Sequence, residues 1–232
     1  MCGRFSFAYE DWSEVIAAFG LDAESPEFSR RYNVAPSQMV PAIVMDGESR
    51  KIGSLRWGLV PSFAKDDKNS YKMINVRAQT LVNRPTFQRL LLRKRCLIPA
   101  SGFYEWKREG HLKEPMHIKL KGRNLFALAG LYDTWIDSDG KRMSTCTIIT
   151  TEPNDLMRTI HNRMPVILSR EHEALWLNKS ENNLDNLLTI LQTYPAKQMR
   201  AYPVSPLVNH VQNDSPTCLA PFQNSFRQST LF

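Results

Sequence analysis

A cysteine stands second in the chain, in the run Met1-Cys2-Gly3-Arg4-Phe5. Its small side chain makes the initiator methionine removable, and removal leaves Cys2 with an α-amine and a thiol on adjacent carbons. No internal cysteine presents this 1,2-aminothiol. Ordinary pKa values of about 8 for the amine and about 8.5 for the thiol leave a usable fraction of each nucleophilic near neutrality. Two chemistries follow. The thiol can attack an acyl group with its own amine as base. Alternatively, the amine can condense with an aldehyde and the thiol close a five-membered thiazolidine. On position alone, a small buried residue near a chain end is the simpler reading.

Three further segments place polar groups where a core would not choose them. In Met73-Ile74-Asn75-Val76-Arg77-Ala78, an extended backbone puts Asn75 and Arg77 on one face and Ile74 and Val76 on the other. An isolated Asn is otherwise a turn or cap residue. In Ser101-Gly102-Phe103-Tyr104-Glu105-Trp106, Glu105 sits among aromatics. An apolar setting raises a carboxyl pKa, so Glu105 can hold and return a proton near neutral pH. A half-exposed strand position paired with Lys107 accounts for it equally well. In Ile160-His161-Asn162-Arg163-Met164-Pro165, His161 follows an expected helix and precedes an apolar strand. Of the histidines it alone has that context: His111 and His172 read as solvated, His117 as a strand residue and His210 as a loop residue. A lone histidine is more often structural.

The chain has 30 Lys+Arg against 23 Asp+Glu, a formal net charge of +7 over 232 residues. That surplus suits a polyanionic partner. Arg4, Arg31, Arg56, Arg77, Arg84 and Arg163 sit beside glycine, proline or aromatic residues near expected element ends, where groups that grip phosphates tend to lie. The run Arg93-Lys94-Arg95 reads instead as a solvated helix end that complements the helix dipole. The 42% hydrophobic content is that of a globular protein. No apolar run approaches a membrane span, and the N-terminus lacks signal-peptide regions. Four cysteines without a CxxC pair suggest neither a zinc site nor a disulfide framework. Cys96 and Cys146 lie in apolar runs and read as core, whereas Cys218 has no evident role. A reducing compartment, cytosol or nucleus, fits this usage.

The elements that must position these residues alternate without an internal repeat. Residues 9–19 predict an amphipathic helix with Trp12, Val15, Ile16 and Phe19 inward and Gly20 as its stop. Residues 40–46 and 51–57 predict strands around a Gly47 turn. A short helix is expected over 86–93, with Phe87, Leu90 and Leu91 inward. Strands are expected over 97–99, 102–106, 116–120, 125–131 and 144–151, with a hairpin tip at Asp137-Ser138-Asp139-Gly140. Asn154 caps a helix over 154–160. Helices over 171–177 and 184–192 and a strand over 201–204 complete the series. Strands dominate the middle and no βαβ rhythm appears. The expectation is one α+β domain over residues 1–232, with a curved, barrel-like, mainly antiparallel sheet flanked by helices. The tail over 215–232 is expected to be loosely ordered.

Taken together and in order, MCGRF, RYNVAPSQ, RWGLVPSFAKD, NVRAQT, RCLIPASGFYEW, FALAGLYDTW, CTIITTEPN and IHNRMPVIL resemble the SRAP family. The family is named for SOS response-associated peptidases, and its members crosslink covalently to abasic sites in single-stranded DNA. The resemblance runs from Cys2 to about Asp214. It implies the SRAP fold, a monomer, no cofactor or metal, and single-stranded DNA containing abasic sites as partner. It also implies self-processing at the Met1–Cys2 bond. Position by position it implies Cys2 as the crosslinking residue and Asn75 as the group that positions its amine. Glu105 would transfer protons, and His161 would assist sugar-ring opening and reversal. Arg4, Arg77 and Arg163 match positions beside the DNA path. Phe63 stands where many members have Trp, and with Trp106 it would stack on a base. A positive groove would lower the pKa values of the Cys2 amine and thiol. Two other classes remain in view: an N-terminal-nucleophile amidohydrolase, which also begins Cys-Gly, and a non-catalytic single-strand-binding module. The first leaves the basic surplus unexplained, and covalent adduct formation, or its absence, decides the second.

Overall fold

The computed structural model describes residues 2–222. In chain order the elements are β1 (Phe5–Phe7), α1 (Trp12–Phe19), β2 (Arg31–Val34), β3 (Met39–Asp46), β4 (Ser49–Trp57), β5 (Asn75–Arg77), α2 (Pro85–Arg93), β6 (Arg95–Ala100), β7 (Gly102–Glu109) and β8 (Leu112–Leu120). There follow β9 (Phe126–Ile136), β10 (Arg142–Thr151), α3 (Asp155–Arg158), β11 (Met164–Pro165), β12 (Ile167–Leu168), α4 (Arg170–Leu177), α5 (Leu184–Thr189) and β13 (Met199–Pro203). The fold is α+β, as expected. β3, β4, β10, β9 and β6 close on themselves through successive pairings, which removes the free edges of that sheet. Only the β4–β10 contact in this ring is parallel. A second, antiparallel sheet runs in the order β13-β8-β7-β1-β2.

Side-chain sizes explain the closure. Ile43, Leu97, Ile98, Leu128, Leu131 and Ile148 are buried in one continuous core. Gly130 is needed where β9 crosses β6 and β10, because a Cβ there would lie 2.8 Å from Cys96 Sγ. Phe5 on the second sheet meets Trp57 on the barrel edge-on, with ring centroids 5.2 Å apart. The two sheets therefore share an apolar seam, and the N-terminal strand lies on it.

The helix signals hold; α1, α3 and α5 are shorter than expected, and α2 and α4 begin one residue earlier. α1 begins at Trp12, where Asp11 caps it, and stops at Gly20, whose φ of 60° is a left-handed C-cap. Asn154 accepts from Met157 N–H at 2.8 Å and caps α3, which ends at Arg158 rather than continuing to 160. The β7–β8 hairpin is longer than expected. Its strands run to Glu109 and from Leu112 around Gly110, whose φ of 60° favours glycine.

Two expectations are corrected. Arg95 is not a solvated helix end: it opens β6, is buried, and its Nε donates to Trp176 O at 2.6 Å. Its other nitrogens donate to Leu91 O and Asn178 O, so it ties α2 and α4 to the sheet. The segment after Ser215 is also held as far as Phe222. Cys218 is buried with its Sγ 3.3 Å from Asn213 O, and Phe222 N–H donates to Pro203 O at 2.9 Å. The rest of the expected tail, 223–232, lies outside the described residues.

Candidate active site

The site forms where the two sheets meet, from segments far apart in sequence. β1 pairs with β7, Phe5 opposite Phe103 and Ser6 opposite Gly102. Tyr104 N–H donates to Arg4 O at 2.9 Å and extends that ladder toward the chain start. The pairing carries Cys2 to the side of Glu105. β5 lies parallel to β10, Asn75 opposite Ile148, so the start of β5 is fixed by the barrel wall. Asn75 Nδ2 then donates to Cys2 O at 2.8 Å. That one bond joins the barrel to the N-terminus of the second sheet.

Glu105 is 3% exposed, and burial pushes its carboxyl up to about 7. His161 Nδ1 lies 3.9 Å from Glu105 Oε1, beyond hydrogen-bond length. His161 Nδ1 lies 3.1 Å from Arg163 N and 3.3 Å from Arg163 O, so the Arg163 main chain holds the ring in place and can serve either tautomer. Burial lowers the His161 pKa, with the Arg108 charge acting in the same direction, so the neutral ring is favoured. A buried acid that titrates near neutrality beside a neutral imidazole is an arrangement suited to moving protons in both directions.

Cys2 departs from expectation. It is 0% exposed, and its thiol pKa is raised, first by burial and then by the Glu105 charge. Burial, with the Glu105 charge behind it, outweighs the basic surplus of the surface at this thiol. Protonation of Glu105 removes that part of the penalty.

An open cleft of about 480 Å³ lies over Glu105 and His161, and Trp106, Arg108, Lys113 and Asn209 complete its lining. Trp106 Nε1 donates to Asn209 Oδ1 at 2.7 Å, and Arg4 lies 5.9 Å over the indole. The basic residues divide. Arg77 is exposed. Arg4 Nη1 donates to Asn33 Oδ1 and Val208 O, each at 2.7 Å. Arg163 is 7% exposed and donates to Glu152, Gln79 and Thr150 O. Phe63 is 68% exposed and outside the cleft lining, on the segment between β4 and β5.

Sequence reasoning missed Arg108, Lys113, Asn209 and Asn33. The first two had a signal, a glycine turn at 110 between charged flanks that mark a strand running past Trp106. Asn209 and Asn33 had none, since only the return of the C-terminal chain makes them neighbours of the site.

Residues 1–211 match the profile of the family described as SOS response associated peptidase, SRAP. The chain is 52% identical over 219 residues to "Abasic site processing protein YoqW" of Bacillus subtilis, a match covering 93% of this chain and 97% of that one. It is 32% identical over 239 residues to "Abasic site processing protein HMCES" of Gallus gallus, covering 86% of this chain and 70% of that one. Among solved structures, the X-ray crystal structure of a protein from Bacteroides thetaiotaomicron superposes with a TM-score of 0.86 at 28% identity, over 96% of this chain and all of that one. Fold, motif order and these likenesses agree, and the chain belongs to the SRAP family.

Proposed function

We propose that this protein processes abasic sites in DNA, and that it does so by joining Cys2 covalently to the lesion in single-stranded DNA after Met1 is removed. The names of its relatives support the substrate. The observation that carries the chemistry is the Asn75 bond to Cys2 O beside a buried carboxyl that titrates near neutrality. An aldehyde is the electrophile that a 1,2-aminothiol traps most stably.

An abasic deoxyribose is mostly a closed hemiacetal. Opening it needs a proton at the ring oxygen and the removal of one from the hydroxyl, roles that Glu105 and His161 share. The neutral Cys2 amine adds to the aldehyde carbon, and the resulting carbinolamine loses water to give a Schiff base. The Cys2 sulfur then adds to the imine carbon while the thiol proton passes to the imine nitrogen, which closes the thiazolidine. Nothing is oxidised or reduced. The raised thiol pKa fits this order, because the thiol is needed last, and protonated Glu105 favours its ionisation at that stage. Asn75 fixes the residue from which the amine projects. Arg77 faces the phosphates, Arg4 and Arg163 add positive potential from behind, and Trp106 and Phe63 offer stacking surfaces.

Intact-mass analysis before and after incubation with an abasic single-stranded oligonucleotide tests the reading. The parent is expected to lack Met1 and to gain the mass of the oligonucleotide less one water. Cys2→Ala is expected to bind the same DNA and give no heat-stable adduct. A stable adduct of normal yield from Cys2→Ala would sink the proposal.

A further inference from the structure

The β7–β8 hairpin carries an electrostatic conflict. Arg108 and Lys113 stand directly opposite each other in its register, and both are exposed. Like charges facing across an antiparallel pair destabilise it, whereas the neighbouring pair, Lys107 opposite Glu114, has the favourable combination. Among the described residues neither Arg108 nor Lys113 makes a salt bridge. Both line the cleft that holds Glu105 and His161. Meanwhile Arg4 and Arg163 have donors committed to protein acceptors.

We propose that Arg108 and Lys113 form a clamp for one backbone phosphate of the bound strand at the mouth of the cleft. The proposal rests on the reading that the cleft takes DNA, and it goes beyond that reading by assigning a phosphate site to the hairpin. A phosphate between the two side chains turns mutual repulsion into attraction to a shared anion. Arg offers a planar fork and Lys a point charge, so the pair can meet two oxygens of one group. A clamp on the strand holding Glu105 fixes the distance from phosphate to proton donor and so helps seat the sugar.

The experiment is a salt titration of binding to a single-stranded oligonucleotide with one abasic analogue that cannot open, using the parent and the double variant Arg108→Gln/Lys113→Gln. The double variant is expected to lose about 0.7 from the slope of log affinity against log salt, which is about fivefold in affinity between 1 M and 0.1 M salt. Its crosslinking should slow even at saturating protein, because the sugar is no longer seated by the clamp. A methylphosphonate scan adds a readout that a structural role would not move. One neutral linkage near the lesion should reproduce the loss in the parent and add nothing in the variant. Melting of the free variant should be unchanged or raised, because the repulsion is gone.

Superimposed titrations, or a scan in which every neutral linkage costs both proteins equally, would overturn the clamp. So would a lowered melting point together with loss of the slope in the charge-preserving swap Arg108→Lys/Lys113→Arg. A parent protein that neither binds nor crosslinks DNA would instead defeat the underlying reading. The two failures are thus distinguishable.

Discussion

Glu105 sets the pH behaviour of the site. Its folded carboxyl holds a proton up to about 7, whereas an unfolded glutamate releases it near an ordinary value of about 4.3. Between those values the unfolded state carries fewer protons, so the parent loses stability as pH rises through the window and does not regain it above. Glu105→Gln removes that loss. The variant should be more stable than the parent at pH 8, by up to roughly 4 kcal/mol from the size of the shift, and equal to it below about pH 4. Urea denaturation at both pH values checks this. The same substitution should slow crosslinking strongly and leave DNA affinity level or higher, because an anion leaves a basic surface. Crosslinking at the parent rate would make Glu105 a purely structural carboxylate. His161→Ala should slow formation less and also slow release of bound DNA, read by chasing a labelled adduct with unlabelled competitor.

Elements decide which arginines can meet a phosphate. Arg77 is exposed at the end of β5, whereas Arg163 precedes β11 and binds back to Thr150 on β10. Arg77→Ala should therefore cut affinity and salt slope with no change in melting, while Arg163→Ala should lower the melting point as well. Equal melting of the two variants would show that the Arg163 bonds contribute nothing. Element types were legible because periodicity and punctuation agree locally: Gly20 ends α1, Gly47 turns β3 into β4, and Asn154 opens α3. Strand lengths were not, since β7 runs past Trp106 only because β8 pairs with it. Nor was the burial of Arg95, whose partners lie in α2 and α4. His117 was read only as a strand residue, yet it is wholly packed. Tyr202 donates to Leu219 O, so Nδ1 of His117 donates to Tyr202 and Nε2 faces Ser6 Oγ at 3.0 Å. Burial first, then the Lys119 and Arg200 charges, lower its pKa to about 3. The unfolded chain takes up that proton near pH 6.5, so stability should fall as pH drops below it, by up to about 1.4 kcal/mol per pH unit. His117→Asn should lose that part of the slope in denaturant titrations between pH 4.5 and 7.5.

At the scale of the whole molecule, the site is assembled by the chain returning to its own beginning. Asn33 on β2 is fully buried, and its Nδ2 donates to Val208 O, His210 O and Asn213 O, while its Oδ1 accepts from Arg4. Asp214 takes the N–H groups of Tyr32 and Asn33 and pairs with Arg31. Asn209, carried on the same returning segment, fixes the Trp106 indole at the cleft. The core of the barrel does not depend on these bonds, but the outer wall of the cleft does. Asn33→Ala removes the donors to Val208 O, which is buried, and to His210 O and Asn213 O, which are less so, at a cost of about 1–3 kcal/mol. It also leaves Arg4 with only Val208 O at that nitrogen. The expected outcome is a lower melting point together with faster amide exchange confined to residues 205–222 and β2, while the barrel strands keep their protection. Crosslinking should fall with it, because Trp106 and Arg4 lose their anchor, although neither Cys2 nor Glu105 has been touched. Exchange that quickens uniformly across the chain would instead show that the returning segment and the barrel unfold as one unit.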